Sequence, residues 1–95
     1  MVIGVATIIL RLPGNSSLKD KRKTVKSVVS RLRNSFNLAA AEVGANDRHQ
    51  RAEIGLAFVG NDSRLINSKL DKAVNFVEAM RVADIVDSKM EIINL

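Results

Sequence analysis

The chain has no cysteine, no tryptophan and no tyrosine, and His49 is its single histidine. Without cysteine it has no disulfide, no thiolate nucleophile and no cysteine-based zinc site, so we expect it to reside in a reducing compartment, the cytoplasm. One histidine also argues against metal catalysis, and we predict neither a metal nor a cofactor. Three phenylalanines leave little aromatic surface on which nucleic-acid bases could stack.

The length and composition indicate one folded domain. The 95 residues are 46% hydrophobic and 26% charged, values that are typical of globular proteins and argue against intrinsic disorder. The opening MVIGVATIIL lacks a basic segment before its apolar run, and the run is too short to span a membrane. We therefore interpret it as a buried strand within a single domain that covers residues 1–95.

Hydrophobic periodicity predicts six elements. We expect a strand over 2–12, a turn at 13–16, and a helix that begins after Ser17 with the capping-box partner Asp20. Strands follow over 37–44 and 51–60, although Ala39–Ala41 is equally compatible with a longer first helix. A second helix begins near Asn61, Asp62 or Ser63. A strand with one wet face follows from Val82, and we expect it to alternate through Val86, Ser88, Met90 and Ile92 against Asp87, Lys89 and Glu91.

The order β-α-β-β-α-β is the pattern of the ferredoxin-like α+β fold. In that fold, right-handed crossovers put two helices on one face of a four-stranded antiparallel sheet. The apolar stripes predict that one set of residues is buried together: Val25, Val29, Leu32, Ile54, Leu56, Leu70 and Val77.

The positive charge is concentrated in the first helix. The chain carries a net charge of +5, and residues 18–36 hold seven of the fifteen bases but one of the ten acids. At about 100° per residue, five cations fall on one arc beside the valine stripe, whereas Lys21 and Arg31 lie elsewhere. We call this arc the basic face: Lys19, Arg22, Lys23, Lys26 and Arg33.

Cations at a helix N-terminus add to the positive end of the backbone dipole, and like charges three or four residues apart repel. A solvated helix face is the alternative interpretation, but such faces usually carry acids at i+4. We therefore expect an anionic partner, and the phosphates of structured RNA fit best because phosphate contacts need no aromatic platform. A homodimeric adaptor that binds an acidic protein surface is the second hypothesis, and a membrane surface fits less well because the apolar face lacks Trp and Phe anchors.

The segment 44–51 is the other place where chemistry could occur. Arg48, His49 and Arg51 lie between Asp47 and Glu53, and a histidine in such a setting could serve as a general base in a small phosphate-handling enzyme. Exposed turns are commonly rich in these residue types, and one histidine supplies neither a ligand set nor a nucleophile pair. We thus predict no enzyme, no small-molecule substrate, and at most a secondary contact to nucleic acid here.

The sheet face without helices is the basis of a third expectation. The first strand is apolar on both sides, so that face presents either Ile3, Val5 and Ile9 or Val2, Ile8, Leu10 and Leu12. Exposed apolar groups with a polar rim are typical of a modest interface. We expect a homodimer through this face.

Several segments resemble one known family: SLKDKRKTVKS, RLRNSFN, AEV, QRAEIG and the ND before the second helix. They are similar to the YlxP-like family of small bacterial proteins of unknown function, over essentially the whole chain. The resemblance implies a ferredoxin-like fold and no established enzymatic activity. Some members are encoded among genes for translation initiation and ribosome maturation, which implies structured RNA as a partner. Related proteins tend to carry an aromatic residue where this chain has His49.

Overall fold

The computed structural model describes residues 1–14 and 16–95. Its elements follow the predicted order β-α-β-β-α-β, and their bounds are β1 Val2–Arg11, α1 Leu18–Ser35, β2 Ala39–Gly44, β3 Arg51–Gly60, α2 Ser63–Met80 and β4 Asp84–Asn94. The predicted turn at 13–16 includes residue 15, which is outside the described residues. None of the described helices is long and apolar enough to cross a bilayer.

The four strands form one sheet in the order β2-β3-β1-β4, with every neighbouring pair antiparallel. The even-numbered residues of β1 are buried beneath the helices, whereas the odd-numbered residues from Ile3 to Ile9 are partly exposed on the other face. Of the two alternative sets of apolar residues, the structure therefore leaves Ile3, Val5 and Ile9 on the face without helices. The ferredoxin-like fold is confirmed.

Both helices begin where the capping residues predict. Ser17 is the N-cap of α1, and its Oγ accepts a hydrogen bond from the backbone N–H of Asp20 at 3.2 Å. Asp62 is the N-cap of α2, and its carboxylate accepts bonds from the N–H groups of Arg64 and Leu65. These side chains satisfy donors that the first helical turn leaves without a partner.

The first helix ends at Ser35, so the alanine run belongs to β2. Phe36 caps the helix in an extended conformation, and its ring makes edge-to-face contacts with Phe58 and Phe76, with centroids 6.3 and 5.4 Å apart. These contacts anchor the chain as it leaves α1. Ala40 then enters the core at 4% exposure.

The core contains the seven residues that the stripes predicted, and all of them are buried in one cluster. Close packing extends to the backbone. A Cβ built on Gly4 of β1 would lie 2.2 Å from Cγ2 of Ile66 in α2, so glycine lets this helix approach the sheet.

The predicted alternation of β4 is wrong at Val86. Met90 pairs with Ala6 and Ile92 with Gly4, on the side of the sheet that faces the helices. The register then shifts, and Ile85 rather than Val86 takes the core side opposite Leu10. An extra residue in one strand reverses the alternation beyond it.

Candidate nucleic-acid-binding surface

The five side chains of the predicted basic face are all exposed along one side of α1. In the part of the chain that the structure describes, no carboxylate lies within ion-pair distance of any of them. Asp20 is the one acid in the first turn, and its Oδ2 lies 3.3 Å from Oγ of Ser16. The positive charge at the start of α1 therefore has little local compensation.

Arg33 differs from the other members of the basic face. Its Nη2 donates a hydrogen bond to the carbonyl oxygen of Ala40 at 2.6 Å. Ala40 is in β2, an outer strand of the sheet, and outer strands expose backbone groups that lack a partner strand. Arg33 thus joins the last turn of α1 to this edge. Lys19, Arg22, Lys23 and Lys26 have no such bond to the described residues.

Lys21 is fully buried, which the sequence reasoning missed. Its Nζ lies 2.8 Å from Oε2 of Glu42 in β2, and it also donates a hydrogen bond to the carbonyl oxygen of Ala45. The Lys21 side chain has 0% exposure and the Glu42 side chain 18%. A buried charge is tolerated where it is paired and hydrogen-bonded. The signal was its spacing of four and seven residues before Val25 and Val28, which places Lys21 within the apolar stripe.

The Lys21 contact also positions the β2–β3 turn. Ala45 has a left-handed backbone, with φ of 55°, and its carbonyl oxygen accepts a second hydrogen bond from the N–H of Arg48 at 3.0 Å. The base of the turn is thereby attached to the first turns of α1. Arg48 and His49 are exposed in this turn, so these two predicted secondary residues lie in the segment that Lys21 holds.

Arg51, the third secondary residue, lies at the start of β3 and faces the other side of the sheet. Its Nη2 is 3.5 Å from Oε1 of Glu53, and it pairs with Arg11 across the strands. The structure therefore separates Arg51 from the basic face. Among the described residues, no group of three or more His, Cys, Asp or Glu is placed to hold a metal ion.

The aromatic residues lie away from the sheet surface that could stack bases. Phe36 contacts both Phe58 and Phe76 on the helix side of the sheet. The strands bring no aromatic residue to the opposite face within the described ranges. A sheet of this fold that binds single-stranded RNA uses surface aromatics for stacking. Among the described residues, the concentrated positive charge lies on α1, and the sheet offers no aromatic platform.

The fold and this surface define a small α+β domain with one cationic helix. The chain belongs to DUF503, a protein family of unknown function, whose model matches residues 3–90. It is 32% identical over 63 residues to the uncharacterized protein YlxP of Bacillus subtilis (strain 168), a match that covers 66% of this chain and 68% of YlxP. The resemblance to the YlxP-like family is confirmed.

Two solved structures align with this chain at low sequence identity. A structural genomics protein, YJCS, aligns with a TM-score of 0.56 and 9% identity, over 97% of this chain and 99% of that chain. A REP-associated tyrosine transposase bound to a REP hairpin aligns with a TM-score of 0.44 and 10% identity, over 98% of this chain and 56% of that chain. The first likeness shows the fold alone, and the second is too weak to carry an argument.

Proposed function

We propose that this protein is a non-enzymatic binding module that contacts the phosphates of structured RNA through the basic face of α1. One observation carries the proposal. Lys19, Arg22, Lys23 and Lys26 are exposed together on one helix side, and no described carboxylate pairs with them. Such a cluster attracts a polyanion and releases its counterions on binding.

The spacing of these four residues places each of them next to another cation on the helix surface, so they repel one another. Lys19 lies three and four residues before Arg22 and Lys23, and these in turn lie four and three residues before Lys26. Each like-charge pair at this spacing costs roughly 0.2–0.5 kcal/mol in an exposed helix. Phosphates bound along the helix would attract these side chains and so offset their mutual repulsion. They would also interact favourably with the positive end of the helix dipole.

A second, weaker contact is expected from the β2–β3 turn. Lys21 ties Ala45 to the start of α1, so the turn that carries the exposed Arg48 is attached to the first turns of this helix. Arg48 would reach phosphates that flank those bound by the helix. His49 lies beside it and is expected to add little, because nothing in the described residues orients its ring.

The partner that we favour is ribosomal or translation-related RNA, because structured RNA of this kind is what the family resemblance implies. Crosslinking in cells, followed by sequencing of the attached RNA and identification of attached proteins, tests this. The tagged wild-type protein should recover ribosomal RNA above background. A triple variant, Lys19→Gln, Arg22→Gln and Lys26→Gln, keeps helix propensity and should lose most of that RNA.

The matched control removes the same charge elsewhere. Arg31→Gln lies on α1 but off the basic face, and Arg64→Gln and Lys72→Gln lie on the exposed surface of α2. This control variant should recover as much RNA as the wild type. Equal recovery by both triple variants would contradict the proposal. Recovery of an acidic protein without RNA would instead favour the adaptor hypothesis.

A further inference from the structure

The sheet face without helices has an apolar centre that none of the described elements covers. We call it the open face. Val59 and Val43 are its most exposed large apolar side chains, at 66% and 59%. The strand registers place the following uncharged residues on this face: Ile3, Val5, Thr7, Ile9, Ala39, Ala41, Val43, Gly55, Ala57, Val59 and Ile93.

A bulge in β2 brings Val43 onto the open face. The register shifts between Glu42 and Gly44, so Val43 is the extra residue. It lies over Gly55, because a Cβ at that glycine would be 2.8 Å from Cγ1 of Val43. Ala39 and Ala41 of β2 and Ala57 of β3 are small as well, so this part of the face is shallow. A shallow apolar surface of this kind fits another flat surface better than it fits a small molecule.

The charges around the open face nearly cancel. By register, its margin carries three bases and four acids: Arg11, Arg51, Lys89, Glu53, Asp84, Asp87 and Glu91. The chain as a whole carries +5, so the positive charge lies on the rest of the surface. Two copies can therefore approach through this face without the repulsion that their net charge would cause elsewhere. Along β4 the signs alternate from Asp87 through Lys89 to Glu91, so each copy offers partners of both signs.

The size of the open face suits a modest homodimer. Three strands of ten or eleven residues and the six-residue β2, at about 4.8 Å between strands and about 3.4 Å per residue, give roughly 600 Å² for each copy. Two copies would bury roughly 1,200 Å², just above the ~1,000 Å² that a specific interface needs. An interface at this limit is expected to dissociate on dilution.

We propose that the open face is the contact surface of a homodimer in which two sheets stack face to face. Sheets packed in this way lie about 10 Å apart, and both helical layers then point outward. The basic faces stay exposed on opposite sides of the dimer. Val59 and Val43 move from solvent into the interface, which removes the most exposed apolar groups of the open face from water.

Sedimentation velocity over a concentration series tests the dimer. Between roughly 1 µM and roughly 1 mM, the range expected for an interface of this size, the wild type should pass from monomer to dimer. Val59→Glu places an unpaired carboxylate at the interface twice, once in each copy, and should raise the dissociation constant on the order of 100-fold. Val59→Thr keeps the branched shape and should raise it on the order of tenfold.

The matched control is Leu65→Glu. Leu65 is an exposed apolar residue at 52%, but it lies in the first turn of α2, outside the open face. This variant should dimerise as the wild type does. A wild type that stays monomeric over the whole range would overturn the proposal, and so would a dimer that both Val59 variants leave intact. Circular dichroism shows whether each variant is folded. If Val59→Glu is unfolded, the dissociation constant of Val59→Thr alone tests whether the open face forms the dimer.

Discussion

Replacement of Lys21 by methionine should destabilise the protein far more than replacement of any other lysine in α1. Methionine keeps a long unbranched side chain, but it leaves the carboxylate of Glu42 without its cation. Removal of one partner from a buried ion pair costs about 3–5 kcal/mol. The Oε2 atom of Glu42 is buried, but the side chain as a whole retains 18% exposure, so the carboxylate can turn toward water and we expect a loss of about 2–4 kcal/mol. The carbonyl oxygen of Ala45 keeps its bond from Arg48 and adds little to the loss.

Urea unfolding followed by circular dichroism measures this loss. With a slope of about 1–1.5 kcal/mol per M, the midpoint should fall by roughly 2 M. Lys19→Met is the matched control because it makes the same substitution at an exposed position two residues earlier, and its stability should stay within about 0.5 kcal/mol of the wild type. A double variant with Lys21→Met and Glu42→Leu should recover most of the loss, because an apolar pair can replace a buried ion pair. Equal stability of Lys21→Met and wild type would refute the reasoning.

Three further substitutions test other parts of the structure. Gly4→Ala should cost about 1–3 kcal/mol in urea unfolding, because its Cβ would collide with Ile66; an unchanged midpoint would contradict the close approach of α2. Arg33→Gln should cost about 1 kcal/mol through its lost bond to Ala40. In RNA titrations it should also weaken the salt dependence less than the same change at any other basic-face residue. His49→Ala should leave both stability and RNA affinity nearly unchanged, and a large loss of any purified activity would support the enzyme hypothesis instead.

The sequence predicted the elements well where local chemistry decides them. Ser17 and Asp62 cap the helices as their side chains favour, and the apolar stripes gave the buried residues. The alanines at 39–41 fit either a helix or a strand, and their pairing with β3 makes them a strand. The bulge that moves Val86 out of register depends on pairing with β1, which no local pattern specifies.

The roles of individual cations were harder to predict. Lys21 lies in the apolar stripe by spacing, but its burial requires a carboxylate from β2 and a carbonyl group from the following turn. The bond of Arg33 to the edge of β2 likewise depends on where that strand lies. Both contacts are tertiary. A helical wheel therefore identifies the charged residues that share one side of the helix, but it does not show which of them make contacts within the protein. The structure leaves Lys19, Arg22, Lys23 and Lys26 as the exposed set on which the functional proposal rests.

The salt dependence of RNA binding tests the functional proposal most directly. The measurement is fluorescence anisotropy of a structured RNA hairpin over a series of salt concentrations. If three or four basic-face residues each displace a counterion, log affinity should fall against log salt with a slope of about −2 to −4. The triple variant at Lys19, Arg22 and Lys26 should remain folded and show a slope near −1, whereas the control at Arg31, Arg64 and Lys72 should keep the wild-type slope. Equal affinities and slopes in wild type and both folded variants would show that the basic face is only solvated and that this surface does not bind RNA.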